Sequence, residues 1–159
     1  MLTASDLGPG WAPANVDLSA LPCSVPRSAA IVGAGGYAVR QAQAGGSPSV
    51  VEFAGEVSSP GQSYISAIDY LQTSESCRRT TGDHTQTSTF EGVLPLPRQG
   101  DRSVAMVFSN AVDGASSQTG YEVVRTGHIV AVVGYTDAGT LDAAQLQNVT
   151  STAVGKLTG

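Results

Sequence analysis

The stretch Tyr121-Glu-Val-Val-Arg-Thr-Gly-His-Ile-Val-Ala-Val-Val-Gly-Tyr135 decides the fold. Two runs rich in β-branched residues flank Arg125-Thr-Gly-His128, and such runs separated by a short glycine-containing turn are typical of a β-hairpin. The first run carries one charged residue on each face, Glu122 and Arg125. The second run, Ile129 to Val133, is apolar on both faces, as in a strand at the centre of a covered sheet. The stretch therefore predicts a sheet as the scaffold of the chain.

Alternation of apolar and polar residues predicts four further strands outside this hairpin. Arg78 to Gln86 and Asp113 to Ser117 are polar and are predicted as loops. The links between strands are mostly of hairpin type, which favours an antiparallel sheet over β-α-β winding. We therefore expect about six strands in all. The four further strands are Tyr37 to Gln43, Val50 to Val57, Thr87 to Leu94 and a run marked by Val104, Met106 and Phe108.

Three segments predict helices that pack against this sheet. The first, Leu2 to Leu7, has the form of a capping box with a hydrophobic staple and ends at Gly8-Pro9-Gly10. The second begins after Ser59, and the third after Thr140. Their apolar stripes follow the helical period. The stripes are Tyr64, Ile65, Ile68 and Leu71 in the second helix and Leu146, Val149, Ala153 and Leu157 in the third.

Length and composition set the class of protein. At 159 residues we expect one domain, residues 1–159, of the α+β class, with helices on an antiparallel sheet. Charged residues make up 13% of the chain, well below the usual quarter. The net charge of -5 leaves no basic stripe to neutralise phosphates, which excludes nucleic acid as a partner. No run of about 18 apolar residues exists, so we expect membrane contact only through an N-terminal anchor absent from this sequence.

The two cysteines, Cys23 and Cys77, lie far apart in the sequence. A disulfide between them would close a loop of roughly 55 residues and stabilise the fold by about 4 kcal/mol in the chain-entropy model. Such a bond implies an oxidising compartment. The alternative is two buried free thiols in a cytosolic protein. The scarcity of lysine, with Lys156 alone among seven arginines, and the high Ser and Thr content favour the disulfide.

A glycine-rich segment, Ala29 to Ala38, matches the G-x-G-x-x-A form of the dinucleotide fingerprint at Gly33 and Gly35. Glu52 lies about where a ribose-binding acid would be expected. Any helix starting at Tyr37 is too short for a crossover, and no further β-α-β units follow. We therefore favour a flexible loop entering a strand, and keep a small nucleotide-binding enzyme as the alternative.

No cluster of residues indicates catalysis or metal binding. A Ser-His-Asp hydrolase needs a nucleophile on a strained turn beside a base, and only His84 and His128 could serve as that base. Asp83 and His84 form one adjacent pair without a further ligand at metal-binding spacing. Asn148-Val-Thr150 matches a glycosylation acceptor but falls inside the third helix. We expect no catalytic residue, no metal and no cofactor.

Arg40 and Arg125 remain as candidates for ligand binding. A charged residue between apolar neighbours in a strand must pair, extend to solvent or face a cleft. One interpretation is a salt bridge to Glu52, Glu56 or Glu122. The other is a contact with an anionic or polar ligand on an open sheet face, with Tyr37, Tyr121 and Tyr135 as apolar walls.

Several short motifs occur along the chain. They are Leu2-Thr-Ala-Ser-Asp-Leu-Gly-Pro-Gly-Trp11, Val51-Glu-Phe53, Tyr64-Ile-Ser-Ala-Ile-Asp-Tyr-Leu71 with Cys77, Gly100-Asp101, and Val124-Arg-Thr-Gly-His-Ile-Val130. Together they resemble actinobacterial secreted sensor-like domains and lipoproteins, including the extracellular sensor domains of mycobacterial Ser/Thr protein kinases. This resemblance implies a non-catalytic, extracytoplasmic α+β domain tethered at its N-terminus. The expected partner is a small polar ligand or a cell-envelope component. A partner-binding lipoprotein without a small ligand is a further alternative.

Overall fold

The computed structural model describes residues 1–15, 37–73, 76–81 and 84–159, without the side chains of residues 37–40, 73, 76, 77, 79, 81 and 84. The described residues form one antiparallel sheet of eight strands and three helices. The predicted α+β class is thereby confirmed. The strands are β1 Trp11–Ala14, β2 Tyr37–Gln43, β3 Ser49–Glu56, β4 Ser76–Thr81, β5 His84–Leu94, β6 Arg102–Val112, β7 Ala115–Thr126 and β8 Ile129–Asp137, and the helices are α1 Ala4–Leu7, α2 Pro60–Thr73 and α3 Ala143–Thr158.

The strand order, β1-β2-β3-β8-β7-β6-β5-β4, places β8 inside the sheet. After β3, helix α2 precedes the edge strand β4, and the chain then returns strand by strand until β8 pairs with β3. Gly127, at φ +56° in the turn between β7 and β8, adopts the left-handed backbone that such tight turns need. The predicted hairpin and the central position of its second strand are confirmed.

The two faces of the sheet pack against different helices. We call the face under α2 the α2 face and the face under α3 the α3 face. Val130 and Val132 belong to the first and Val133 to the second, which explains why this strand is apolar throughout. The α2-face core is Val51, Phe53, Tyr64, Ala67, Leu71, Met106, Phe108, Tyr121, Val123, Val130 and Val132. The α3-face core is Leu2, Val50, Ala105, Val133, Tyr135, Leu146, Val149 and Ala153.

Two tyrosine–glycine pairs across β7 and β8 fit both cores together. Tyr121 lies opposite Gly134, and Gly120 lies opposite Tyr135. A Cβ atom on Gly134 would collide with Tyr121 Cε1, and one on Gly120 would lie 2.5 Å from Leu146 Cδ2. Glycine is therefore required at both positions, because the Tyr121 ring occupies the space over one and α3 lies directly over the other.

Two glutamates are buried on the α3 face. Glu52 and Glu122 stand on either side of Val133, on β3 and β7, and are 0% and 1% exposed. Glu52 Oε2 accepts the Leu2 N–H at 2.8 Å, which ties the N-terminal segment to the sheet. Burial raises the pKa of Glu122, and the hydroxyls of Ser103 and Thr150 oppose that rise less strongly. Neither oxygen of Glu122 accepts a hydrogen bond of ordinary geometry within the described residues.

The prediction of about six strands missed the two edge strands. The short β1 pairs with β2, and Ser76–Thr81 forms β4, which pairs with β5. The predicted polar loop from Arg78 to Gln86 is therefore wrong. These residues carry Thr, Arg and Gln with no apolar face, because an edge strand beside solvent needs none. Cys77 consequently lies on β4 opposite Ser88. Cys23 is outside the described residues, so the disulfide stays a prediction.

The helices are confirmed, with two local corrections. The Asp6 carboxylate accepts the Thr3 N–H at 2.7 Å, as the capping box predicted. In α2 the predicted core residue Ile65 is 50% exposed and Ala67 takes its place in the core, because the inner face runs through Tyr64, Ala67, Ile68 and Leu71 at the i, i+3, i+4, i+7 spacing of a helix. The cap of α3 is Asp142, whose Oδ1 accepts the N–H groups of Ala144 and Gln145, and not Thr140.

Candidate functional site

The polar features of interest gather at one end of the sheet, which we call the turn end. It contains the β7–β8 turn at Gly127 and His128, the last residue of β3 and the first residue of β6. The Val57 N–H donates to the His128 carbonyl at 2.9 Å, so the segment after β3 is fixed to this turn. The Gly127 N–H donates to the Asp101 carboxylate at 2.8 Å. These two hydrogen bonds therefore hold the segments of the turn end together.

Two arginines lie side by side on the α2 face of the turn end. Arg102, at the start of β6, is directly opposite Arg125 on β7. The Cβ atoms of such residues are about 5 Å apart, and like charges there destabilise a sheet. Arg102 is exposed and Arg125 half-buried, and Arg125 Nε is buried without a hydrogen-bond partner. Within the described part of the chain, no hydrogen bond or ion pair reaches either guanidinium group.

The first turn of α2 lies against this arginine pair. A Cβ atom on Gly61 would be 3.8 Å from Arg125 Nη1, so the guanidinium group lies close to the helix start. The N-terminus of a helix carries about half a positive charge, and the first turn of α2 contains no acidic residue to balance it. The positive end of α2 therefore adds to the charge of the two arginines.

Tyr64 places a phenol beside the arginine pair. Its ring belongs to the α2-face core. Burial raises the pKa of Tyr64; the positive charges of Arg102 and Arg125 oppose that rise, and the negative charge of Glu122 adds to it more weakly. We use the name arginine cluster for Arg102, Arg125, Tyr64 and the first turn of α2. It combines two guanidinium groups, a hydroxyl and helix amides, and it contains no carboxylate.

A cleft of about 610 Å³ opens on the other side of the turn end, beside the last turn of α3. Its walls include Ala54, Ile129 and Leu157, with Glu56 and His128 as its titratable residues. Glu56 and His128 are both exposed. Because the carbonyl end of a helix is negative, this cleft suits a neutral or cationic group better than an anion. The cleft also lies next to Gly127, so it and the arginine cluster share one turn.

The four residues predicted for ligand binding are not close together. Arg125 and Tyr121 lie on one face of β7, but Tyr121 is 0% exposed and its ring packs edge-on to Phe108 at 5.7 Å. Arg40 and Tyr37 lie on β2, three strand spacings from β7, or about 14 Å. The side chains of Arg40 and Tyr37 are outside the described residues. Only the prediction for Arg125 coincides with a feature of the described surface.

The predicted salt bridge is wrong for Arg125. Glu122 lies on the same strand but on the opposite face, and Glu52 belongs to the buried α3 face. Within the described residues Arg125 has no acidic partner. Sequence reasoning also overlooked Arg102, because the pairing of β6 with β7 was not part of the prediction.

The nucleotide-binding alternative loses its structural basis. Gly33 and Gly35 are outside the described residues, but the segment that follows them, Tyr37–Gln43, is an antiparallel strand where the fingerprint requires a helix. Glu52 is buried in mid-strand and binds the Leu2 N–H, so it is not placed to hold a ribose.

The histidines considered as a catalytic base or metal ligand lie at two separate places in the described structure. His128 lies in the turn, exposed, and His84 begins β5. No group of three or more potential metal ligands occurs among the described residues. In the described part of the chain, no helix has the length and apolarity to cross a membrane.

Comparison with solved structures finds proteins of similar fold. The extracellular domain of PknH from Mycobacterium tuberculosis is similar over 99% of this chain and 92% of that chain, with a TM-score of 0.69 and 12% sequence identity. The fold is shared. The resemblance to a mycobacterial kinase sensor domain is thereby confirmed at the level of architecture. No family model and no curated protein matches the sequence.

Proposed function

We propose that this chain is a non-catalytic binding domain that works outside the cell membrane, as part of a secreted protein, a lipoprotein or a membrane receptor. The observation that carries the proposal is the fold shared over nearly the whole chain with an extracellular domain of a kinase. A domain of this kind can respond to a ligand only if its surface offers a binding site. The turn end supplies two, the arginine cluster and the cleft beside α3.

Arg125 is the residue on which we place the binding function. It was a candidate on sequence grounds, and its guanidinium group lies against the start of α2 without a protein partner in the described structure. A half-buried cation without a partner is costly to the fold. A small polar or anionic ligand, free or attached to a cell-envelope component, would offset that cost. Binding of that ligand at Arg125 would be the event that the domain senses.

Protease treatment of intact cells tests the compartment. The natural full-length protein is expressed in its host with an epitope tag after Gly159, and whole cells are treated with an impermeant protease. We expect this domain to be digested while a cytoplasmic marker survives. Protection of the domain until the cells are lysed would contradict the proposal.

Thiol titration gives an independent test of the same point. We expect no reactive thiol in the unfolded, unreduced protein and two after reduction, because Cys23 and Cys77 are proposed to be bonded. If both cysteines are alkylated when the protein is isolated in the presence of an alkylating agent, they were free thiols. That result would remove the chemical support for an oxidising compartment.

A further inference from the structure

The arginine cluster has the composition of an anion site. Two guanidinium groups lie on directly opposed residues of β6 and β7, and neither has a protein partner in the described structure. The nearest acid in the sequence, Asp101, uses its carboxylate to accept the Gly127 N–H. Opposed like charges on neighbouring strands are normally avoided. Their presence here, beside the positive end of a helix, is accounted for by an anion bound between them.

The number of donors indicates which anion fits. One arginine satisfies both oxygens of a carboxylate through its two parallel N–H donors. Arg102, Arg125, the Tyr64 hydroxyl and the α2 amides together offer more donors than a carboxylate accepts. A phosphoryl group has three terminal oxygens and up to two negative charges, and helix starts and arginine forks are its common protein partners.

We propose that the arginine cluster binds a phosphoryl group, between Arg102 and Arg125 and against the first turn of α2. This inference rests on the proposed function, since it names the ligand class of the same site. A free phosphate monoester and the phosphomonoester head group of phosphatidic acid share this chemistry. Binding to either leaves the covalent structure of both partners unchanged.

The burial of the cluster sets how specific such binding is. Arg125 is half-buried and its Nε is closed to solvent, whereas Arg102 is exposed. The inner arginine is therefore less screened by salt than a surface lysine would be. The outer arginine supplies the second fork and the entry route. Loss of either one should weaken binding, and loss of both should abolish it.

The experiment is calorimetric titration of the full chain with inorganic phosphate at constant ionic strength. The variants are Arg102→Gln and Arg125→Gln, and Arg78→Gln is the matched control, an exposed arginine on the edge strand β4. We expect each cluster variant to lose at least tenfold in affinity and the control to bind as the wild type. Arg102 is exposed, so its variant folds normally, which equal melting temperatures verify.

Acetate and lipid vesicles complete the test. Acetate at the same concentration should bind at least tenfold more weakly than phosphate. Vesicles containing phosphatidic acid identify a lipid source if they sediment the wild type but not Arg102→Gln, and a soluble phosphate monoester is the source if only inorganic phosphate binds. Absence of phosphate binding, equal binding of acetate, or an equal loss in Arg78→Gln would each overturn the assignment. A cytoplasmic location in the protease test would instead refute the proposed compartment, whatever phosphate does.

Discussion

The two faces of the sheet handle charge in opposite ways. No charged residue is among the buried residues described on the α2 face, and the arginines of that face lie at the turn end, where a ligand can reach them. The α3 face buries two glutamates in its middle, next to Val133. Charge at the edge of a core is available for binding. Charge within a core affects stability and makes stability depend on pH. We therefore expect ligand binding to depend on the α2 face and the pH dependence of stability on the α3 face.

The largest effects should come from the two cores themselves. Leu71→Ala on the α2 side and Leu146→Ala on the α3 side each remove a side chain that is 0% exposed, and we expect each to lower the free energy of unfolding by about 2–5 kcal/mol. Denaturant unfolding measures both. Ile65→Ala, at the exposed position of α2, is the control and should change little. A cost below about 1 kcal/mol on one side would show that its helix does not share the core.

Gly134→Ala should cost less, about 1–3 kcal/mol, because its Cβ atom collides with the Tyr121 ring. This substitution strains the α2 face only. Gly155→Ala in α3 is the matched control, since nothing lies within 4 Å of its Cβ position, and it should stabilise by about 0.5–1 kcal/mol. Thermal melting compares the two. A neutral Gly134→Ala would show that the Tyr121 ring is free to move.

Glu122→Gln tests the buried charge of the α3 face. Burial raises the pKa of Glu122, so its protonated form favours the fold; that contribution is full below the ordinary value of 4.5 and is lost as the pH rises through the higher folded-state pKa. The variant should therefore melt at a higher temperature than the wild type at pH 7, and at a similar temperature at pH 4. An equal gain in Glu56→Gln, at an exposed glutamate, would trace the effect to net charge instead.

The smallest effect should come from the exposed pair between Asp6 and Lys156, 2.6 Å apart. Hydrogen bonds from Lys156 and Thr3 lower the pKa of Asp6 from 3.8 to about 2. Its stabilising contribution is present above 3.8 and is lost as the pH falls through about 2, which is the opposite direction to Glu122. Asp6→Asn should lower the melting temperature slightly at pH 7 and by less at pH 2. A large loss at pH 7 would mean that α1 depends on this pair.

The central hairpin could be predicted because its pattern is local. The run from Ile129 to Val133 needs no knowledge of its partners to be recognised as a covered strand. Burial of Glu52 and Glu122 could not be predicted in this way, because alternation assigns a residue to a face and does not say that a helix covers that face. The same alternation places Glu122 and Arg125 on opposite faces of β7, so it already excluded the salt bridge between them.

The position of Arg102 opposite Arg125 follows from a turn motif in the sequence. Asp113 and Gly114 form a two-residue turn between β6 and β7, and Asp-Gly is a strong hairpin signal. With Val112 opposite Ala115, counting ten residues in each direction places Arg102 opposite Arg125. The prediction of a loop from Asp113 to Ser117 placed the start of β7 too late to give this register. The edge strand β4 gave no comparable signal, since its side chains are polar on both faces.

The most direct test of the arginine cluster is a two-dimensional NMR titration of the wild-type chain with phosphate, with chloride at equal ionic strength as the reference. We expect saturable shifts at the Nε–H groups of Arg102 and Arg125 and at the Gly61 amide, while Arg78 stays unchanged. Shifts confined to exposed residues elsewhere, or none that saturate, would contradict the claim that the charge left open on the α2 face is a binding site.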